Sequence, residues 1–141
     1  MVTRKGKAVW QGSVKEGSGV LSVESGAFEA KYSFGSRFED GPGTNPEEII
    51  GAAHAGCFSM ALSLILGEAG YTPTKIETSA QVKIHSVDGH FEIPSIHLDC
   101  TATVPGLSKD EFATLATKAK EGCPVSKALA GPEITMKAQL K

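Results

Sequence analysis

The sequence predicts an α+β fold: antiparallel strands packed around one long buried helix. Three observations carry this expectation. Short alternating segments fill the first quarter of the chain, and a stretch of eighteen residues without a single charge follows. Alternating segments then return, before a helical pair and one last alternating run. With 141 residues, 40% of them apolar and 21% charged, the chain should bury about two thirds of the surface its unfolded form exposes. That suffices for one domain over residues 1–141, with its own core or half of a shared one.

The first segments, Lys7 to Val14, Gly19 to Glu24 and Ala27 to Phe34, are short, partly alternating and divided by glycine-rich turns, as in a β-meander. Gly35 to Thr44, with the charged run Arg37-Phe38-Glu39-Asp40, has loop composition. Asn45-Pro46-Glu47-Glu48 is a helix start: Asn45 as N-cap, Pro46 at the first helical position, Glu48 placed to close a capping box. The helix should run to Gly67 or Gly70. Apolar and small residues occur all round it, which predicts burial on every side. A membrane span is disfavoured, because Gly51, His54, Gly56, Ser59 and Ser63 interrupt the apolar run and its flanks, Glu47, Glu48 and Glu68, are acidic.

Ile76, Thr78, Ala80, Val82 and Ile84 alternate with polar neighbours, as do Ile96, Leu98, Cys100, Ala102 and Val104, and Asp88-Gly89 between them predicts a hairpin. Ser108-Lys109-Asp110-Glu111 opens a helix with Phe112, Leu115 and Ala119 on one face, and Gly122 stops it. A short helix should start at Cys123-Pro124, and Ile134 to Leu140 alternate as a final strand.

The charge pattern narrows the partners. Fourteen basic against sixteen acidic residues give −2, with no basic block to neutralise phosphates, which argues against nucleic acid. No apolar stretch follows the cationic start, so no secretory signal is visible and the cytoplasm is the expected location. A reducing compartment keeps Cys57, Cys100 and Cys123 as thiols unless chemistry oxidises them.

The three thiols read differently. Cys100 lies on the apolar register of its strand and behaves as a small hydrophobe. Cys57 lies mid-helix, where apolar surroundings raise a thiol and make it inert. Cys123 starts a helix, where backbone N–H groups favour a thiolate. Local electrostatics alone would therefore make Cys123 the nucleophile, and Cys57 needs an imported cation. Of the two arginines, Arg37 is the candidate, although beside Glu39 and Asp40 it also reads as a solvated loop charge. His54, one turn before Cys57, is either a base or a satisfied core donor. His85, His90 and His97 share no tight spacing, so no metal site is expected.

The run from Gly43-Thr44-Asn45-Pro46-Glu47-Glu48 through Ala53-His54-Ala55-Gly56-Cys57-Phe58-Ser59-Met60, with Gly122-Cys123-Pro124-Val125-Ser126 downstream, resembles the osmotically inducible protein C and organic hydroperoxide resistance family, OsmC/Ohr. The likeness covers nearly the whole chain, and Ser36-Arg37-Phe38 with the overall spacing places it nearer the OsmC branch. The resemblance implies an intertwined homodimer and a thiol peroxidase that reduces organic hydroperoxides, and hydrogen peroxide less well, without metal, haem or flavin. An external dithiol would re-reduce it. It also implies Cys57 as peroxidatic cysteine, Cys123 as its resolving partner, and Arg37 with Glu47 as the polar pair that activates the thiol.

Physical chemistry sets the tasks. A free thiol is only about 3% ionised at pH 7, so full ionisation yields about thirtyfold at most. Stabilising the departing alkoxide in a dry site is the larger share. Glu47 poses a geometric problem: ten residues of straight helix put it about 15 Å along the axis from Cys57 and about 80° around it. Two antiparallel helix copies crossing near Ala52, where Gly51, Ala52, Ala53, Ala55 and Gly56 permit close approach, would bring Glu47 of one subunit to the Arg37 and Cys57 site of the other. A helix break near Gly51 is the competing explanation. Phe34, Phe38 and Met60 are candidates for an apolar substrate mouth.

Three other readings compete. Cys123-Pro124-Val125-Ser126 could be a C-x-x-S redox motif of a disulfide oxidoreductase, though no βαβ unit precedes it. A non-catalytic dimeric binding protein would keep both thiols merely buried. A cysteine hydrolase using His54 and Cys57 lacks an orienting acid.

Overall fold

The computed structural model describes residues 1–141, which form two compact units, Met1–Ile49 and Ile50–Lys141. In the first, β1 (Gly6–Gln11), β2 (Ser18–Val23) and β3 (Glu29–Tyr32) make the expected antiparallel meander, in the order β1-β2-β3. Gly19 pairs with Trp10 on one side and Tyr32 on the other, and a Cβ there would collide with both rings. Its absence lets the two aromatics meet across β2 with centroids 5.2 Å apart.

The segment read as loop contains a helical turn, α1 (Phe34–Phe38), and β3 stops at Tyr32 instead of Phe34. Two serines cause this. The Ser36 amide donates to Ser33 Oγ at 3.2 Å and the Ser33 amide to Ser36 Oγ at 2.8 Å, a reciprocal cap that starts a helix within a glycine-rich stretch. Ser36 Oγ also donates to the Thr44 carbonyl at 2.7 Å, and Asn45 Nδ2 donates to the Ser36 carbonyl at 3.1 Å. These bonds fix α1 against the start of the long helix α2 (Pro46–Glu68). Asn45 caps α2 as expected, accepting the Glu48 amide at 2.8 Å, but the Glu48 carboxylate turns to the Thr44 hydroxyl and leaves the capping box half made.

The second unit holds α2 from Ile50 onward against a three-stranded sheet and two helices. The strands are β4 (Lys75–Val82), β5 (His85–Val87), β6 (His90–Glu92) and β7 (Ser95–Thr103); α3 (Lys109–Gly122), α4 (Pro124–Ala128) and β8 (Glu133–Leu140) complete the chain. Asp88 and Gly89, with φ of 49° and 84°, turn the predicted hairpin, but its tip separates as a β5-β6 ribbon. Pro94, without an N–H, interrupts the ladder there. The sheet order is β4-β7-β8, antiparallel between β4 and β7; β8 adds to the other edge of β7 in parallel, unlike the expected antiparallel pairing.

Alternation in β7 places Ile96, Leu98, Cys100 and Ala102 fully inside. Leu98, Cys100 and Ala102 join Phe58, Leu62 and Leu66 of α2 and Phe112, Ala116 and Ala119 of α3 in one core. Phe58 is 0% exposed at its centre, and Phe58→Ala is expected to lower unfolding free energy by about 3–5 kcal/mol, measured by urea denaturation.

Within one chain α2 is not buried all round. Gly51, His54, Phe58, Leu62 and Leu66, spaced three and four apart, face inward, while Ala52, Ala53, Gly56, Met60 and Leu64 are exposed. Met60 and Leu64 are 77% and 63% exposed. At Gly51 the helix approaches β4 so closely that a Cβ would lie 3.1 Å from the Ala80 carbonyl oxygen. By length and composition alone α2 could cross a membrane, but its inner stripe forms the core of the second unit.

Candidate active site

Two pairs of the expected residues come together, one in each unit. In the first unit, Arg37 at the end of α1 meets Glu47 in the first turn of α2. Nη2 donates to Oε1 at 2.7 Å, and Nε–H is shared between Oε1 at 3.1 Å and Oε2 at 3.2 Å. Glu47 is 6% exposed, so its carboxylate depends on this grip. The guanidinium also lies over the Phe38 ring, 5.2 Å from its centroid. Arg37 is thus a held cation, not a loop charge solvated beside Glu39 and Asp40.

Arg37 forms part of the wall of a pocket of about 230 Å³ with Trp10, Val14, Tyr32, Phe34 and Phe38. Phe34 and Phe38, two of the three candidates for a substrate mouth, therefore share one apolar pocket. Met60 is not among its walls; it stands on the outer face of α2.

In the second unit, Cys57 packs against the core cluster that holds Cys123, 66 residues away in sequence, and the two thiols shift each other's ionisation. Cys57 is partly exposed and Cys123 is 0% exposed. Burial and the neighbouring Cys123 push the Cys57 thiol up, with only the Val125 backbone working the other way. Cys123 joins α3 to α4. Burial acts to raise it, but hydrogen bonds from the Ser126 backbone, the Cys57 thiol, the Ser126 hydroxyl and the Val125 backbone together bring it below the usual thiol range. This is the direction that local electrostatics predicts: of the two sulfurs, Cys123 is the easier to ionise.

Cys100 stands apart, fully buried in β7 opposite Thr78 and Ala138, its thiol pushed up by burial. His54, a candidate base for Cys57, gives its Nε2 to Ser126 Oγ at 2.7 Å instead. Burial lowers its pKa, so the ring is neutral. Ser126, joined to His54 across 72 residues, and Ser36, which secures α1, were missed as site-building residues. The Ser-x-x-Ser spacing was a signal for Ser36; no periodicity signals the contact between His54 and Ser126. No group of three or more His, Cys, Asp or Glu is placed to hold a metal ion.

α2 runs without a break from Pro46 to Glu68, which removes the alternative of a break near Gly51. Glu47 also binds Arg37 of its own chain, so the expected bond to a partner's Arg37 is replaced by an intrachain pair.

The sequence profile of the OsmC-like protein family matches residues 39–138, more than half of the chain. The chain belongs to the OsmC-like protein family. Peroxiredoxin OsmC of Escherichia coli (strain K12) is 52% identical over 141 residues, spanning 99% of this chain and 98% of that protein. The organic hydroperoxide resistance protein of Xanthomonas axonopodis pv. citri (strain 306) is 35% identical over 94 residues, 64% of this OsmC-like chain and 63% of its own. The fold also matches the crystal structure of the organic hydroperoxide resistance protein OhrB of Bacillus subtilis, with a TM-score of 0.70 and 26% identity over 97% of this chain and 98% of that one. The fuller and higher identity to OsmC agrees with the branch expected from the motifs.

Proposed function

We propose that this protein reduces organic hydroperoxides to alcohols, with Cys57 as the attacking sulfur and Cys123 as the resolving one. The protein is a cysteine-based peroxidase. One observation carries the assignment of roles: of the two thiols that shift each other's ionisation, only Cys57 is reachable from solvent. The Cys57 thiolate attacks the terminal oxygen of ROOH; an S–O bond forms as O–O breaks, and the alkoxide leaves and takes up a proton. Cys123 then attacks the sulfenic sulfur, S–S forms as S–O breaks, and hydroxide leaves as water. An external dithiol reopens the bridge by exchange, in the reducing cytoplasm.

Cys57 in its own chain has nothing cationic among the groups that set its pKa. The proposal therefore includes a homodimer. Two copies of α2 cross through the exposed face of Ala52, Ala53 and Gly56, and the Arg37–Glu47 pair of one protomer serves Cys57 of its partner. Two features support this: the apolar outer stripe of α2, and a preset guanidinium beside an apolar pocket. The pocket suits the organic part of the hydroperoxide, and hydrogen peroxide, which cannot fill it, is the poorer substrate.

The roles are tested by adding one equivalent of organic hydroperoxide to reduced protein and mapping the product by mass spectrometry. A Cys57–Cys123 bridge is expected; a bridge to Cys100 would overturn the assignment. The crossing is tested with hybrid dimers of Glu47→Ala and Cys57→Ser chains, in which one site of two should be intact and activity should return. No recovery would refute it.

A further inference from the structure

The pocket beside Arg37 carries more aromatic surface than an alkyl group can use. Trp10, Tyr32, Phe34 and Phe38 all line it, and Arg37 is the only charged side chain in its wall. The rings form two tilted pairs. Trp10 and Tyr32 have centroids 5.2 Å apart at 55°, and Phe34 and Phe38 have theirs 5.0 Å apart at 49°. A tilted pair leaves part of each ring without an aromatic neighbour, so a further ring can add to it edge to face.

The backbone holds the Trp10 and Tyr32 side of this wall in place. Trp10 Nε1 donates to the Gly12 carbonyl at 3.0 Å, which ties the indole to the connection between β1 and β2. Gly12 has a φ of 90°, a left-handed conformation that costs glycine nothing. Val14, from the same connection, adds to the wall. Arg37 is equally fixed, gripped by Glu47 and lying over the Phe38 ring. The volume, about 230 Å³, is below the roughly 300 Å³ at which pockets begin to hold drug-sized ligands. It suits one ring on a short branched stem.

We propose that Trp10 and Tyr32 are specificity-determining residues: they select hydroperoxides whose peroxide-bearing carbon carries an aryl group, with the ring against this pair and the oxygens toward Arg37. Their effect on turnover rests on the peroxidase reading above; the affinity of the pocket for an arylalkyl group does not. Charge fixes the orientation, because the guanidinium can donate to peroxide oxygens, whereas a hydrocarbon placed against it would only strip its water. A cyclohexyl group of similar outline buries comparable apolar area but has no ring quadrupole to match the tilted pairs. It is therefore the decisive comparison.

Trp10 is the only tryptophan in the chain, so tryptophan emission reports on this pocket alone. The reduced, unaltered protein is titrated with dimethyl phenyl carbinol and with its cyclohexyl counterpart, alcohols that contain no O–O bond and undergo no turnover. A saturable change in emission is expected, with the phenyl compound binding about tenfold tighter. Equal affinities, or no saturable change, would overturn the selection. In steady-state assays with the two corresponding tertiary hydroperoxides, Trp10→Ala and Tyr32→Ala should each lower the phenyl-to-cyclohexyl ratio of kcat/KM about tenfold, chiefly through KM. Trp10→Phe and Tyr32→Phe, which keep a ring, should retain most of the preference. A variant that only loosened the sheet would lose both substrates alike, and that result in both alanine variants would overturn the assignment. Saturable phenyl binding by unaltered protein that consumes no hydroperoxide would instead overturn the peroxidase reading and leave the aryl preference of the pocket standing.

Discussion

Cys57→Ser is expected to abolish hydroperoxide consumption from the first turnover, whereas Cys123→Ser should consume one equivalent and then stall. The contrast matters more than either loss alone. In the isolated chain Cys123 is the sulfur whose surroundings favour the anion, and Cys57 is the one they disfavour. Ranking by ionisation alone would predict the opposite pair of results. Access decides otherwise: a peroxide cannot collide with a sulfur of 0% exposure, however ionised, while Cys57 is open on one side. Its missing ionisation is a matter of about thirtyfold, which one well-placed cation can supply. Quantifying residual hydroperoxide under single-turnover conditions, with sulfenic acid trapped by dimedone, checks both variants. A first equivalent consumed by Cys57→Ser and not by Cys123→Ser would exchange the two roles.

The second large effect is expected at Arg37. Arg37→Met should lower kcat/KM by about 10²–10³, the usual consequence of removing one preorganised group that stabilises developing negative charge. Only part of that loss can come from ionising Cys57, so it should persist above the pH at which the thiol ionises unaided. Arg37→Lys should recover little. The guanidinium holds Glu47 through Nε and Nη2 at once, and a single ammonium cannot reproduce that two-point grip. Glu47 is nearly buried, so Arg37→Met should also lose about 1–3 kcal/mol of stability from an unpaired carboxylate. Steady-state kinetics against pH together with denaturation curves separate the two losses; a variant of unchanged stability and unchanged kcat/KM would remove Arg37 from the mechanism.

Local patterns made much of this legible. The period-two burial of β7 and β8, the Asn45 cap, the Asp88-Gly89 turn and the helix start at Cys123-Pro124 all follow from a few neighbouring residues. What stayed hidden depends on distant partners or on competition. α1 forms because two serines cap each other inside a segment whose glycines argue for loop. Nothing in the β8 sequence says whether it joins β7 parallel or antiparallel, since alternation is the same in both. His54 was legible as a polar residue on an apolar helix, but its partner comes from an element that the fold alone brings there. The one-sided burial of α2 is the most informative difference: a sequence apolar all round has only one face covered by its own chain, and Met60 and Leu64 stand on the other.

Cys100 completes an odd set of thiols, and the sheet keeps it from unsettling the count. Clamped between neighbouring strands in its protonated form, it is out of reach of both oxidant and mixed-disulfide exchange. Under the proposed roles only Cys57 and Cys123 would exchange electrons, two per turnover, and repeated cycling should leave no stray sulfur to stitch one molecule to the next.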